Sequence, residues 1–213
     1  MTAKPYAALV RFSESFLERH GDSYLGVGWT KRQEDADARY RVMLELLAGE
    51  RGRPVTLLDF GCGASHLYEH MKAHQRVDIA YSGLDLSRQF LALSRRKFPH
   101  LTYYDLDILE DDRGLPMFDY IVMNGVFTVK CNLSFEAMLE YFQCLVRGAF
   151  AKARKGIAFN VMSKQVDWER EDLFHLPFEM LASFLAREVS RHFVVRHDYG
   201  LYEYTTYVYR ESS

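Results

Sequence analysis

Apolar positions change their spacing several times along the chain, and each change predicts an element. Phe12, Phe16 and Leu17 fall on one helical face, predicting a first helix that ends near Gly21. A glycine-rich stretch, residues 24–31, interrupts it. Tyr40, Met43, Leu44 and Leu47 then mark a second helix, starting at about Arg32 and closed by Gly49. From residue 55 the apolar runs become short and continuous, as in buried strands: 55–59, 79–85, 101–104, 118–124 and 157–162. Between them lie helical segments at 64–73, at 88–98 behind a Ser87 N-cap, and at 134–154, where Met138, Phe142, Leu145 and Ala149 share a face. The chain finishes with a helix carrying Leu181, Phe184, Leu185 and Val189. Strands over 192–199 and 201–210 follow, joined at Gly200.

Strands separated by helices imply βαβ units and a mostly parallel sheet. The last two strands are too closely connected to be parallel, so the reading is a seven-stranded α/β sheet ending in an antiparallel hairpin. Sheets of this kind bind ligands outside the carboxyl ends of their strands. The expected organisation is a single domain over 1–213. A helical cap at 1–50 precedes an α/β core at 51–213, with a lid at about 163–177.

Composition narrows the classes. The chain has 213 residues, 48% apolar and 26% charged, which excludes a disordered tail, a collagen-like rod and a disulfide scaffold. With 27 basic and 29 acidic residues, the formal charge of -2 supplies no global attraction to nucleic acid or an anionic membrane. Cys62, Cys131 and Cys144 lack zinc-ligand spacing, so no metal is expected. The apolar run Ala7–Val10 is too short for a signal peptide, and no uncharged stretch approaches a membrane span. A cytoplasmic protein without a membrane association is therefore expected.

Three signals stand at three consecutive strand ends. In Asp59-Phe60-Gly61-Cys62-Gly63 the glycines let the backbone approach a ligand closely. In Gly83-Leu84-Asp85-Leu86-Ser87 an acidic side chain is placed to accept both hydroxyls of a ribose. In Tyr104-Asp105-Leu106-Asp107-Ile108 a carboxylate is placed to accept from an adenine amino group. Each is weak alone, and their order and spacing make them strong together.

Over about residues 50–210 the chain resembles the class I S-adenosylmethionine-dependent methyltransferases. The resemblance implies a Rossmann-like, doubly wound, mostly parallel sheet and S-adenosyl-L-methionine as cofactor. It implies that Asp59, Gly61, Cys62 and Gly63 hold the methionine end. Asp85 with Leu86 would bind the ribose, and Asp107 with Ile108 would read the adenine. Asn124, Gly125 and Val126, after Phe118–Met123, would lie beside the reacting methyl. Ser65 replaces the third glycine of the first motif, and its hydroxyl is a candidate cap for the next helix. The double-proline motif of many nucleobase and protein-amide methyltransferases is missing after Asn124, which lowers those substrates. Asn124 and Asn160 stand where metal-assisted relatives place carboxylates, which lowers a metal mechanism.

A hydroxyl acceptor needs a base, most often histidine. His66, directly after the glycine-rich turn, and His175, before Pro177 in the lid, are the candidates. His20, His74 and His100 read as surface residues. Trp168 is either a wall for the acceptor or loop packing. The tyrosines 199, 202, 204, 207 and 209 read first as packing. Trp29, in Gly26-Val-Gly28-Trp29-Thr30-Lys31, reads as a cofactor cover or as a buried residue of a tight turn. Lys31, Arg32, Arg39 and Arg41 make that region locally basic, which suits an acidic acceptor or is an ordinary solvated face.

The expected function is metal-free methyl transfer to an oxygen or nitrogen of a small polar acceptor. The lead-in at residues 28–31 resembles that of small bacterial enzymes modifying sugars or surface-polysaccharide precursors. A monomer or homodimer with no nucleic-acid partner is expected. The alternatives are a catalytically silent cofactor- or partner-binding protein and a nucleotide-dependent oxidoreductase. The oxidoreductase fingerprint needs glycine at position 66, which is histidine.

Overall fold

The computed structural model describes residues 4, 6–29, 32–50, 53–76 and 78–211. Thr30 and Lys31 of the lead-in lie outside the described residues. Helices α1 (Ala7–His20) and α2 (Gln33–Leu44) precede the sheet. The strands are β1 (Val55–Phe60), β2 (Ile79–Leu84), β3 (Thr102–Tyr104), β4 (Phe118–Phe127), β5 (Ala153–Met162), β6 (His192–Arg196) and β7 (Glu203–Tyr209). They form one sheet in the order β3-β2-β1-β4-β5-β7-β6, with α3 (His66–Ala73), α4 (Arg88–Lys97), α5 (Phe135–Lys152) and α6 (Phe178–Glu188) as connections. The order reverses at β1, which pairs with both β2 and β4. That is the switch point where such sheets open a crevice.

Side chains of successive strand residues leave on opposite faces, so both faces of the central strands need cover. Leu57 packs with Tyr40, Met43, Leu67 and Met71 of α2 and α3. Its neighbour Leu58 joins Phe142, Leu145, Leu181 and Leu185 of α5 and α6. The seven-stranded doubly wound sheet is therefore as the residue pattern predicts. Ser87 caps α4 by accepting from Phe90 N at 3.2 Å, and Ser134 caps α5 by accepting from Ala137 N at 3.1 Å.

Three details differ from the sequence reading. The second helix tightens into a 3-10 turn over Glu45–Leu47. Strand β4 continues past Asn124 to Phe127, because Gly125, at φ 81°, carries the chain through a register shift. The final hairpin is not joined at Gly200 alone: residues 197–202 form the link, with Gly200 at φ 78°. Strand β7 inserts antiparallel between β5 and β6, as the predicted antiparallel end of the sheet. Among the described residues, no helix is long and apolar enough to cross a membrane.

Candidate active site

The turns after β1 and β2 are fastened to each other. Gly61 N and Cys62 N donate to Leu84 O at 2.7 and 3.0 Å. Gly63 N donates to Asp85 Oδ2 at 2.9 Å, and Ser87 N to Asp85 Oδ1 at 2.8 Å. Glycine is required at position 61, where φ is 76° and a Cβ would stand 2.7 Å from Val126 Cγ2. Ser65 adopts φ 58° and does not cap α3. Its hydroxyl bonds Ser94 Oγ at 2.9 Å and Tyr103 OH at 3.0 Å instead, because the left-handed turn leaves it under the sheet edge.

These turns enclose a cavity of 170 Å³. It brings together Trp29, Asp59, Gly61, Cys62, Gly63, Asp85, Leu86, Asn124, Gly125, Val126 and His66. Asp107 and Ile108 are not among its lining. Asp107 Oδ2 accepts from Lys4 Nζ at 2.8 Å and from Tyr6 OH at 2.5 Å, so the chain's own start covers it. Ile108 is buried, its Cδ1 3.0 Å from where a Cβ on Gly148 would stand. Tyr6 and Tyr141 also line the cavity and were not singled out by sequence reasoning, and Tyr40, read there only as a helix-face residue, lines it too. The one available signal was the spacing of Tyr6, Leu9, Val10 and Ser13 along one side of α1, all of which line it.

The cavity is electrostatically unbalanced. Burial pushes the Asp59 carboxyl up to about 7, with the charge of Asp85 adding to it against the hydrogen bond from Tyr81. Burial likewise pushes Asp85 up to about 6, opposed by the backbone bonds from Ser87 and Gly63 and reinforced by Glu14. Among the described residues neither carboxylate is ion-paired. The Asn124 side-chain amide is buried with neither atom hydrogen-bonded. Two uncompensated carboxylates, an unused amide and glycine turns fit a cationic nucleoside ligand.

The methyltransferase-domain family matches residues 58–151. Rv1506c of Mycobacterium tuberculosis, a candidate methyltransferase, is 26% identical over 162 residues, 75% of this chain and 95% of that protein. The chain carries a methyltransferase domain on the fold of the class I S-adenosylmethionine-dependent enzymes. The magnesium protoporphyrin IX methyltransferase ChlM of Synechocystis PCC 6803, solved with bound SAM, shares the fold at a TM-score of 0.69 and 12% identity over 99% of both chains. The 1,6-didemethyltoxoflavin-N1-methyltransferase of Burkholderia thailandensis shares it at 0.58 and 16%, over 100% of this chain and 92% of that one.

The methyltransferase keeps its two candidate histidines apart. His66 lines the first cavity and its Nε2 lies 2.8 Å from Asp22 Oδ1, while Nδ1 is buried with no partner. Burial raises the Asp22 carboxyl, but hydrogen bonds from Lys97 and His66 outweigh it and hold it below its ordinary value. An ionised Asp22 takes the proton-bearing Nε2 and leaves the lone pair on Nδ1. His175 lines a different cavity, and both its nitrogens face backbone. Nδ1 is 2.6 Å from Ser163 O, and Nε2 accepts from Arg170 N at 3.3 Å. His20, His74 and His100 are exposed.

Two of the cap's arginines, Arg39 and Arg41, are ion-paired at hydrogen-bond distance, whereas Arg32 is not. Arg39 Nε donates to both Glu203 oxygens at 3.0 Å, Arg41 pairs with Glu45 at 3.2 Å, and Arg32 stands 3.9 Å from Asp35. Glu203 also accepts from Asn160 Nδ2 at 2.9 Å, and Asn160 Oδ1 accepts from Gly125 N at 2.7 Å. Sequence reasoning missed this chain of bonds from α2 to the Gly125 turn, since its members are far apart along the chain.

Proposed function

We propose that this methyltransferase acts on an oxygen or nitrogen of a small polar acceptor, in the class of sugars and surface-polysaccharide precursors, without a metal. The observation that carries the reading is the glycine-lined cavity with its two unpaired carboxylates and unused Asn124 amide. When bound, S-adenosylmethionine supplies a methyl group on a sulfonium, a strong leaving group. The glycine turn at 61–63 lets the backbone meet the methionine end, and Asp59 offsets its ammonium charge. Asp85 has one backbone donor on each oxygen and keeps lone pairs for ribose hydroxyls, beside Leu86. Trp29 covers this end from the cap, with its Nε1 3.3 Å from a Cβ built on Gly125. Asn124, Gly125 and Val126 line the side where the methyl is presented. Asp107 and Ile108 serve the adenine end, with Tyr6 and Lys4 holding the carboxylate.

Positioning is the protein's main contribution to an in-line displacement. A hydroxyl acceptor gives up its proton, and His66 Nδ1 is the base we assign. His175 is a positioning residue, because taking a proton on Nε2 would break its bond from Arg170 N. Asn160 is fully buried, bonded to Gly125 N and Glu203, and lines neither cavity. The Burkholderia relative in fold, named for methylating one ring nitrogen of a small molecule, is consistent with a small acceptor.

Thermal unfolding with S-adenosylmethionine, its demethylated product or NAD tests the cofactor assignment. At about 100 times Kd a ligand adds about 2.7 kcal/mol. For a chain of this size that is a rise of roughly 5 to 10 °C. A rise with the first two and not with NAD is expected; no rise with either would end the reading.

A further inference from the structure

A second cavity of 450 Å³ lies between the cap, the 163–177 segment and the start of β7. Its rim carries Trp168, 72% exposed, and Tyr202, 61% exposed. Large aromatics left in water cost apolar burial, so their exposure calls for a reason. Looseness of the segment is not that reason. Phe174 N donates to Thr128 O at 2.9 Å, Lys130 N to Asp172 O at 2.9 Å, Ser163 N to Tyr202 O at 2.9 Å, and Leu176 N to Met162 O at 3.0 Å. His175 ties Ser163 to Arg170 from inside. A fastened segment thus presents Trp168 outward.

The charges around this cavity are balanced. Arg39 is ion-paired through Nε with Glu203, which is 2% exposed, while its Nη1 is buried with no hydrogen bond among the described residues, and Arg170 is paired with Asp172 at 3.0 and 2.5 Å. Among the described residues the rim also carries Arg32, 74% exposed and 3.9 Å from Asp35, and the exposed carboxylate of Asp167. One donor fork, one carboxylate and two exposed aromatic faces suit a ring that is apolar on one face and carries neighbouring hydroxyls on its edge. They do not suit a phosphate, which would need surplus positive charge. The cavity also abuts the first one. Arg39 lines it while Trp29 lines the other, and the Arg39 guanidinium carbon stands 5.0 Å from the Trp29 ring centroid.

We propose that this cavity is the acceptor's recognition site and takes an uncharged pyranose ring. The ring stacks on Trp168 and Tyr202, and its hydroxyls bond Asp167 and Arg32. The inference rests on the proposed methyl transfer and specifies where and how the acceptor is held.

Saturation-transfer NMR on the full chain, saturated with the demethylated cofactor product, tests it. The probes are the methyl glycosides of glucose, galactose, mannose and rhamnose, with glucose 6-phosphate and open-chain sorbitol as comparisons. At least one neutral glycoside is expected to receive saturation, strongest on the protons of one ring face, with sorbitol silent. Trp168→Ala is expected to weaken that signal at least tenfold, and Arg32→Ala to weaken it less. Both side chains are exposed, so the variants keep the wild-type melting temperature. No signal from any neutral glycoside would overturn the proposal, as would a signal from glucose 6-phosphate alone or one that survives Trp168→Ala. Calorimetric binding of the cofactor product in the same samples separates the two levels. Binding with silent sugars sinks the acceptor site alone, whereas no binding sinks the cofactor reading beneath it.

Discussion

Asp85 joins two motifs through one carboxylate. Its oxygens order Gly63 and Ser87 before any ligand arrives, and lone pairs remain for ribose. Asp85→Ala should therefore weaken cofactor binding by about 2 kcal/mol, roughly 30-fold, measured by calorimetry. Unchanged affinity would remove Asp85 from that role. The histidines separate by the bonds they already make. His66→Gln should lower turnover of a hydroxyl acceptor by about 10² to 10⁴ and leave cofactor affinity intact. His175→Ala should instead lower stability by about 1 to 3 kcal/mol in urea denaturation, because Ser163 O and Arg170 N lose a buried partner. A fully stable His175→Ala protein with no turnover would reverse the two roles. Sequence placed both histidines near a ligand edge. It could not distinguish them, since what each ring nitrogen touches depends on Asp22 in one case and on two backbone groups in the other.

At the scale of elements, α1 is the least anchored part of the site. None of its residues is buried. It is held by polar contacts, Tyr6 to Asp107, Glu14 to Ser87 Oγ at 2.7 Å and, from the turn behind it, Asp22 to His66 and to Lys97, and by partly buried packing of Leu9 on the main core and Leu17 on Phe90 and Leu93. The cavity beneath it measures 170 Å³, below the roughly 300 Å³ at which ligand pockets begin. Helix α1 should therefore lift to admit the cofactor and close over it. Hydrogen exchange should show fast amides in α1 in the free protein and marked protection once the cofactor product is bound. Equal protection in both states would mean a fixed cap. The helix itself was legible from Phe12, Phe16 and Leu17. Its weak attachment was not, because apolar periodicity reports a face and not what covers that face.

The whole molecule carries the cost of its unpaired carboxylates. A folded-state pKa of about 7 for Asp59 lies above that of an exposed aspartate. The folded protein therefore holds a proton that the unfolded chain releases, and stability falls as pH rises from about 4 to 7. Asp85, at about 6, adds a loss over the lower part of that range. Unfolding of wild type and Asp59→Asn across pH 5 to 8 should show the wild type losing stability relative to the variant as pH rises. Parallel curves would place the Asp59 titration elsewhere. A bound cation should reverse part of this loss, so cofactor binding should tighten over the same interval.

The sheet, its helices and the three strand-end motifs were determined by the sequence itself. Buried strands read as continuous β-branched and apolar runs, helices as 3.6-residue faces, and glycines as turns, all of them local properties of the chain. Long-range bonds decided the rest. The insertion of β7 between β5 and β6, the covering of Asp107 by Lys4 and Tyr6, and the bond chain from Arg39 through Glu203 and Asn160 to Gly125 join residues far apart in sequence. The basic stretch of the cap shows the same limit. Its arginines read either as positive charge for an acidic acceptor or as an ordinary solvated face, and the acids that neutralise Arg39 and Arg41 came from β7 and from the next turn of the chain. Which charges survive folding is settled by where the chain brings their partners, and spacing along a sequence carries that information only over one or two turns.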